Sequence, residues 1–130
     1  MARTTNIENL PRFTLKKTER LSQKKIIQEL FQEGSSFFLH PFKVFFMPQN
    51  QGNFPTQFLI SVPKKIFKTA VTRNKIKRRV REAYRLNKHQ LITSSGKSLF
   101  IAYIYVAKEV LPFEEIQLKL IQTLIRLKEH

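Results

Sequence analysis

The sequence predicts an α/β fold, a two-layer sandwich of a roughly four-stranded mixed sheet with three helices in the order αβββαβα. Three observations carry this. Stretches with apolar residues at helical spacing are separated by short runs rich in Phe, Val and Ile. Pro, Gly and Asn collect at the joints between them, at 48–55 and 93–97. The chain has 130 residues, 42% hydrophobic with 12 Phe, enough apolar material for one buried core and about the length of one domain.

The elements follow in order. Residues 1–18 are polar, basic and interrupted by Pro11, and read as a flexible N-terminal arm. Residues 19–130 form the single domain. A first helix is expected over 22–33, because Ile26, Ile27, Leu30 and Phe31 recur on one face. Ser22 suits its N-cap, and Gly34 stands where a left-handed C′ residue is wanted. Phe37–Phe38 and Phe42–Met47 are extended, with Pro41 marking an edge or a break. In the second run Phe42, Val44 and Phe46 point one way, and Lys43, Phe45 and Met47 the other. Residues 48–55 turn the chain, and 57–62 is a further strand closed by Pro63. A long helix fits 69–89, with Ile76, Val80, Ala83 and Tyr84 within about 100° of arc. After the loop 93–97, the run 99–107 is apolar on both faces, as a central strand is. The last helix spans 112–128. Pro112 suits its first position, Glu114 and Glu115 its positive end, and Arg126 and Lys128 its negative end. Ile116, Leu120, Leu124 and Leu127 form its buried stripe.

Charge bounds the function. Lys and Arg total 24 against 9 acidic residues, a formal net charge of +15. A domain so positive repels itself and pairs naturally with polyanions: nucleic acid, an anionic membrane or an acidic protein. There is no cysteine, which removes disulfides, thiol catalysis and Cys-based zinc sites. Met1 to Lys17 lacks the apolar core of a secretory signal, and 99–107 is too short to span a bilayer as a helix. A cytoplasmic location is expected. His40, His89 and His130 are isolated, the carboxylates are scattered, and three glycines make no phosphate loop. Catalytic residues and metal ligands are therefore not expected in the protein itself.

The positive charge is concentrated. Residues 64–88 hold 11 basic side chains and one acid, Glu82. On a helical wheel Asn74, Lys77, Arg78, Arg81 and Arg85 fall within about 100° of arc, away from the apolar stripe. Such a row offers fork donors and point charges to phosphates. Asn74 can both donate to and accept from a ribose hydroxyl or base edge. Lys64, Lys65 and Lys68 stand just before the helix, and its first turn, through Arg73, adds free backbone N–H groups for an anion. The plainer reading is a solvated amphipathic face. It fares badly, because soluble helices interleave charge signs and Glu82 is the single acid in this stretch. A membrane-surface helix is disfavoured by Asn74 and by dense Arg without bulky anchors. The Phe-rich strands leave two readings open. One sheet face packs on helices; the other either presents rings to unpaired bases or is covered as well. Periodicity by itself favours coverage.

The run from Ser61 to Arg85, SVPKKIFKTAVTRNKIKRRVREAYR, resembles the signature of the ribonuclease P protein component family. That signature has an Arg-Asn pair (Arg73, Asn74), Lys-Arg three residues after the Asn (Lys77, Arg78), and Arg-Glu three after that Arg (Arg81, Glu82). Lys64-Lys65 and Ala70-Val71 match upstream. The resemblance covers about residues 15–128, including Leu15-Lys16-Lys17, Arg20-Leu21 and Leu-Phe-x-x-Gly at Leu30 to Gly34; the final helix is similar in pattern alone. Two positions depart from it. Ile27 stands where the family often has an aromatic and cannot stack as a ring does. Phe67 stands where a Gly is common, so the turn there needs no positive φ.

The resemblance implies a left-handed βαβ crossover, against the right-handed norm. It implies an RNA-binding domain acting as a subunit of an endoribonuclease that removes the 5′ leader of precursor tRNA. The catalytic RNA subunit would perform the hydrolysis with Mg2+ that it mainly binds itself. Lys64, Lys65, Lys68, Arg73, Asn74, Lys77, Arg78, Arg81 and Arg85 would dock on that RNA. A cleft between sheet and first helix, with Ile27, Phe31, Lys43 and Phe45, would hold the single-stranded leader. The protein would be monomeric, one per RNA, with no membrane partner. The competing readings are a ribosomal or ribosome-associated RNA-binding protein, which would not sense a leader, and a DNA-binding factor, which the strand-rich surroundings of the basic helix disfavour.

Overall fold

The computed structural model describes residues 15–49, 55–91 and 98–129. The turn expected at 48–55 and the loop at 93–97 thus fall largely or wholly outside the described residues, as does most of the N-terminal arm. Seven main elements appear in the expected order: α1 (Lys24–Glu33), β1 (Ser35–Leu39), β2 (Phe42–Pro48), β3 (Gln57–Ser61), α2 (Ala70–Asn87), β4 (Leu99–Tyr105) and α3 (Phe113–Lys128). Short 3-10 turns at Lys17–Glu19 and Lys88–Gln90 flank them.

The sheet runs β1-β2-β4-β3. β1 and β2 form an antiparallel hairpin turning at the cis His40–Pro41 bond, β2 pairs antiparallel with β4, and β3 runs parallel beside β4. Pro41 therefore marks a break, in the turn between the edge strand β1 and the inner strand β2, where it owes the sheet no N–H. The parallel β3–β4 pair is joined through α2, a helical crossover of the kind parallel neighbours need. β4 is buried on both faces apart from the half-buried Ile104, which matches its uninterrupted apolar run.

Alternation along β2 sorts the core into two parts. Phe42, Val44 and Phe46 face α2 and α3 and join Ile101, Tyr103 and Tyr105 in the main cluster. There the helix stripes read from the sequence are closed off: Ile76, Val80, Ala83 and Tyr84 of α2, and Ile116, Leu120, Leu124 and Leu127 of α3, are all buried. The Tyr84 ring stacks on Phe58 at 3.9 Å. Burial raises the Tyr103 phenol well above its ordinary value; its hydroxyl lies 2.9 Å from that of Thr123, which donates to the Leu120 carbonyl. The main sandwich is thus the sheet against the α2–α3 pair. On the opposite face α1 provides partial cover through a smaller cluster of Leu21, Leu30, Phe100 and Ala102, with Ile26, Ile27, Phe45, Met47 and Leu59 packed at its margin.

Helix boundaries depart from expectation in three details. α1 begins at Lys24 with Gln23 at the N-cap position and no side-chain cap, so Ser22 does not serve. Pro112 occupies the N-cap of α3 rather than its first turn, with ψ at 155°. Gly34 is extended, with φ at −73°, rather than left-handed. Its value is space: a Cβ there would meet the Leu30 carbonyl oxygen at 2.5 Å and the Phe46 carbonyl oxygen at 3.1 Å. We expect Gly34→Ala to destabilise the fold by about 1–3 kcal/mol through overpacking, read as a lowered urea midpoint with unchanged slope. Phe67 is buried with its ring 5.9 Å from that of Tyr105, and no non-glycine residue described has positive φ, so the turn before α2 is indeed built without the left-handed conformation.

Candidate nucleic-acid interface

α2 is an 18-residue helix in which the buried stripe and the basic row occupy different sides. Thr69 caps it, its hydroxyl accepting from the Thr72 amide at 3.4 Å. No acidic residue lies in the first turn, so the positive end of the dipole is uncompensated. Lys64, Lys65 and Lys68 are exposed in the approach to it.

Within the helix the basic side chains divide by what they touch. Asn74, Arg78 and Arg81 are exposed and Lys77 half-buried, and among the described residues none of them pairs with an acid. Arg73 is engaged at home: one Nη donates to the Phe67 and Lys68 carbonyls at 2.8 and 3.0 Å, pinning the turn that carries the lysines. Arg85 grips Glu82 through two hydrogen bonds, at 3.0 and 2.6 Å. Those bonds hold the Glu82 carboxyl below its ordinary value, so both groups are charged at neutral pH and largely cancel. Arg79, outside the row, donates to the Leu111 carbonyl at 2.6 Å and ties α2 to the entry of α3. The uncompensated cations of the row are therefore Lys77, Arg78 and Arg81, with the exposed Asn74 amide beside them on one face.

The cleft residues come together on the other face of the sheet. Phe31 of α1 meets Phe45 of β2 edge to face, with ring centroids 4.9 Å apart. The Lys43 ammonium sits 5.8 Å from the Phe45 centroid. Ile27 packs at the margin of the small cluster. Phe45 is half-buried, so α1 covers it in part and leaves part of its surface open. The rings on the face under α1 belong to a thin core, and α1 leaves part of Phe31 and Phe45 exposed.

Two features of this region were not legible in the sequence. Phe38 lies opposite Lys43 in the hairpin register and shares the open face with Phe45, at 57% exposure. Alternation within 42–47 cannot reveal this, because the register across the Pro41 turn decides it. Lys16 and Arg20 stand with Arg81 around a cavity of about 250 Å³ that also touches Ile27 and Leu59. Their place is set by the Leu21 amide bonding to the Phe58 carbonyl at 2.9 Å, and by a shielded ion pair of Glu19 with Lys88 at 2.7 Å. Both interactions are long-range, and no local pattern signals them. The cavity thus brings Ile27 of α1 and Arg81 of the basic row to one site.

The described donors do not suit a metal held by the protein: among the described residues no group of three or more His, Cys, Asp or Glu side chains could hold an ion. Among the same residues no helix is long and apolar enough to cross a membrane.

Comparison with known proteins places the chain among relatives of one family. A family model described as Ribonuclease P matches residues 15–128. The ribonuclease P protein component of Porphyromonas gingivalis strain W83 is 37% identical over 121 residues, covering 90% of this chain and 88% of that protein. The one from Syntrophus aciditrophicus is 32% identical over 108 residues, covering 78% and 88%. The solved RNase P protein from Thermotoga maritima superposes with a TM-score of 0.71 at 30% identity, covering 85% of this chain and 99% of that one. A basic helix with an exposed cationic row and a match over nearly the whole described chain lead to one assignment: the chain belongs to the ribonuclease P protein component family.

Proposed function

We propose that this chain docks on the catalytic RNA of ribonuclease P through the exposed row of α2 and holds the 5′ leader of precursor tRNA in the groove between α1 and the sheet. Family membership makes it part of an endoribonuclease complex with an RNA subunit. The observation that carries the finer reading is the set Asn74, Lys77, Arg78 and Arg81, aligned on one rigid face and unmatched by acids among the described residues. Structured RNA supplies phosphates that such a row can neutralise, releasing counterions as it does so.

In this reading each element has a physical task. Arg73 holds the turn so that Lys64, Lys65 and Lys68 converge near the helix N-terminus. Arg79 and Asn87 brace α2 against the α3 region; Asn87 donates to Gln117 at 3.0 Å. The row thereby stays rigid, and less conformational entropy is lost on docking. The groove takes unpaired nucleotides by stacking, with Phe31, Phe45 and the cation of Lys43 as its contacts and Ile27 as apolar wall. Magnesium belongs with the RNA, which performs the hydrolysis; the protein raises substrate affinity by adding leader contacts.

The test is reconstitution with a bacterial catalytic RNA at low magnesium. We expect leader release that depends on the protein, and tighter holoenzyme binding to precursor than to mature tRNA. No protein-dependent release would overturn the assignment. Equal affinity for the two tRNAs would remove the leader-binding role.

A further inference from the structure

We infer that Phe38, flanked by His40 and Lys43, forms an outer stacking subsite for one more unpaired nucleotide of the strand lying in the groove. This rests on the reading that the strand crosses Phe45. Phe38 is the most exposed phenylalanine among the described residues, at 57%. Its backbone is a regular strand position, not a loop. The hairpin register puts it directly opposite Lys43, and Ser36 opposite Phe45, so Phe38 and Phe45 are diagonal neighbours on one face. Such neighbours sit about 7–8 Å apart. That exceeds the roughly 3.4 Å rise between stacked bases. A strand whose bases are splayed, as in single-stranded recognition, can lay one base on each ring.

The surroundings select the ligand. The Phe38 ring meets His40 edge to face at 6.4 Å, and Lys43, its cross-strand partner, carries its ammonium 5.8 Å from the Phe45 ring centroid. The strand residues that share this face, Ser36, Lys43, Phe45, Met47, Ala102 and Ile104 among them, include no acid. An apolar ring beside a fixed cation suits a base with its phosphate. A single exposed Phe on an edge strand is otherwise a liability, because the unpaired edge invites another chain to add to it. Strand addition by a second copy is the competing occupant.

The experiment uses the reconstituted holoenzyme and precursor tRNAs whose leaders grow one nucleotide at a time. For the unaltered protein, affinity should climb in steps and then level off. Phe38→Ala should remove one late step, about tenfold in Kd, and leave shorter leaders and mature tRNA unaffected. Phe38→Tyr should keep that step and Phe38→Leu should lose it, since stacking needs a ring face. The urea midpoint should not move, because the side chain is exposed. Phe45→Ala, run in parallel, should remove an earlier step. If Phe45→Ala acts and Phe38→Ala does not, the outer subsite is wrong and the groove stands. If neither alters any step, the groove reading itself fails. Full affinity in Phe38→Leu, or a protein dimer that Phe38→Ala dissolves, would also overturn the subsite.

Discussion

Replacing both Arg78 and Arg81 by Ala should weaken binding of the catalytic RNA more than any other pair of changes on the surface, and should flatten its salt dependence. Each side chain is exposed and unpaired among the described residues. Removing one cation from a phosphate should lower the slope of log affinity against log salt by about 0.7–0.9. The double variant should therefore show a slope shallower by about 1.4–1.8 if each arginine meets one phosphate. Arg79→Ala is the matched control. Its guanidinium is committed to the Leu111 carbonyl, so the change should lower the urea midpoint and leave the slope alone. Arg85→Ala should fall between, because Glu82 already neutralises that charge. An unchanged slope in the Arg78 and Arg81 variants would place the row away from RNA, whatever the affinity does.

The second large effect is expected at Phe45. Phe45→Ala should reduce affinity for precursor tRNA by about 1–3 kcal/mol if one base stacks there, with affinity for mature tRNA unchanged. A structural cost comes with it. The ring packs edge to face on Phe31 and closes the margin of the small cluster under α1. An aromatic pair of this kind contributes about 0.5–1.5 kcal/mol beyond area burial. The two contributions separate by measurement: precursor and mature tRNA affinities in the same preparation, and the urea midpoint alongside. Equal losses for both tRNAs, or a loss seen in stability alone, would make Phe45 a core residue and nothing more. Ile27 offers no ring, so Ile27→Ala should affect packing more than leader affinity.

Most of the architecture can be read from the chain because it is written in short-range periodicity. The four buried apolar positions of α2, the four of α3 and the alternation of Phe42 to Met47 depend on spacings of two, three and four residues. The cationic row is legible for the same reason, since a helix fixes the angle between any two of its residues. What that spacing cannot tell is which cations are already spent. Arg73, Arg79 and Arg85 look like their neighbours in the sequence, yet each is held by a carbonyl or carboxylate whose position the fold decides. Gly34 makes the same point: its location after a helix suggests a left-handed cap, whereas the packing of Leu30 and Phe46 against it is the actual constraint.

By itself, then, the chain determined the element order, the main core, the concentration of positive charge and, through the motif from Arg73 to Glu82, its family. The tertiary structure alone decided which arginines lack a carbonyl or carboxylate partner among the described residues, that Phe45 is half covered, that Phe38 lies opposite Lys43, and that Lys16 and Arg20 border a cavity with Arg81. The physical reason is range. Helix faces and strand alternation follow from local geometry, but strand register across a turn and hydrogen bonds to distant carbonyls depend on how the whole chain closes on itself.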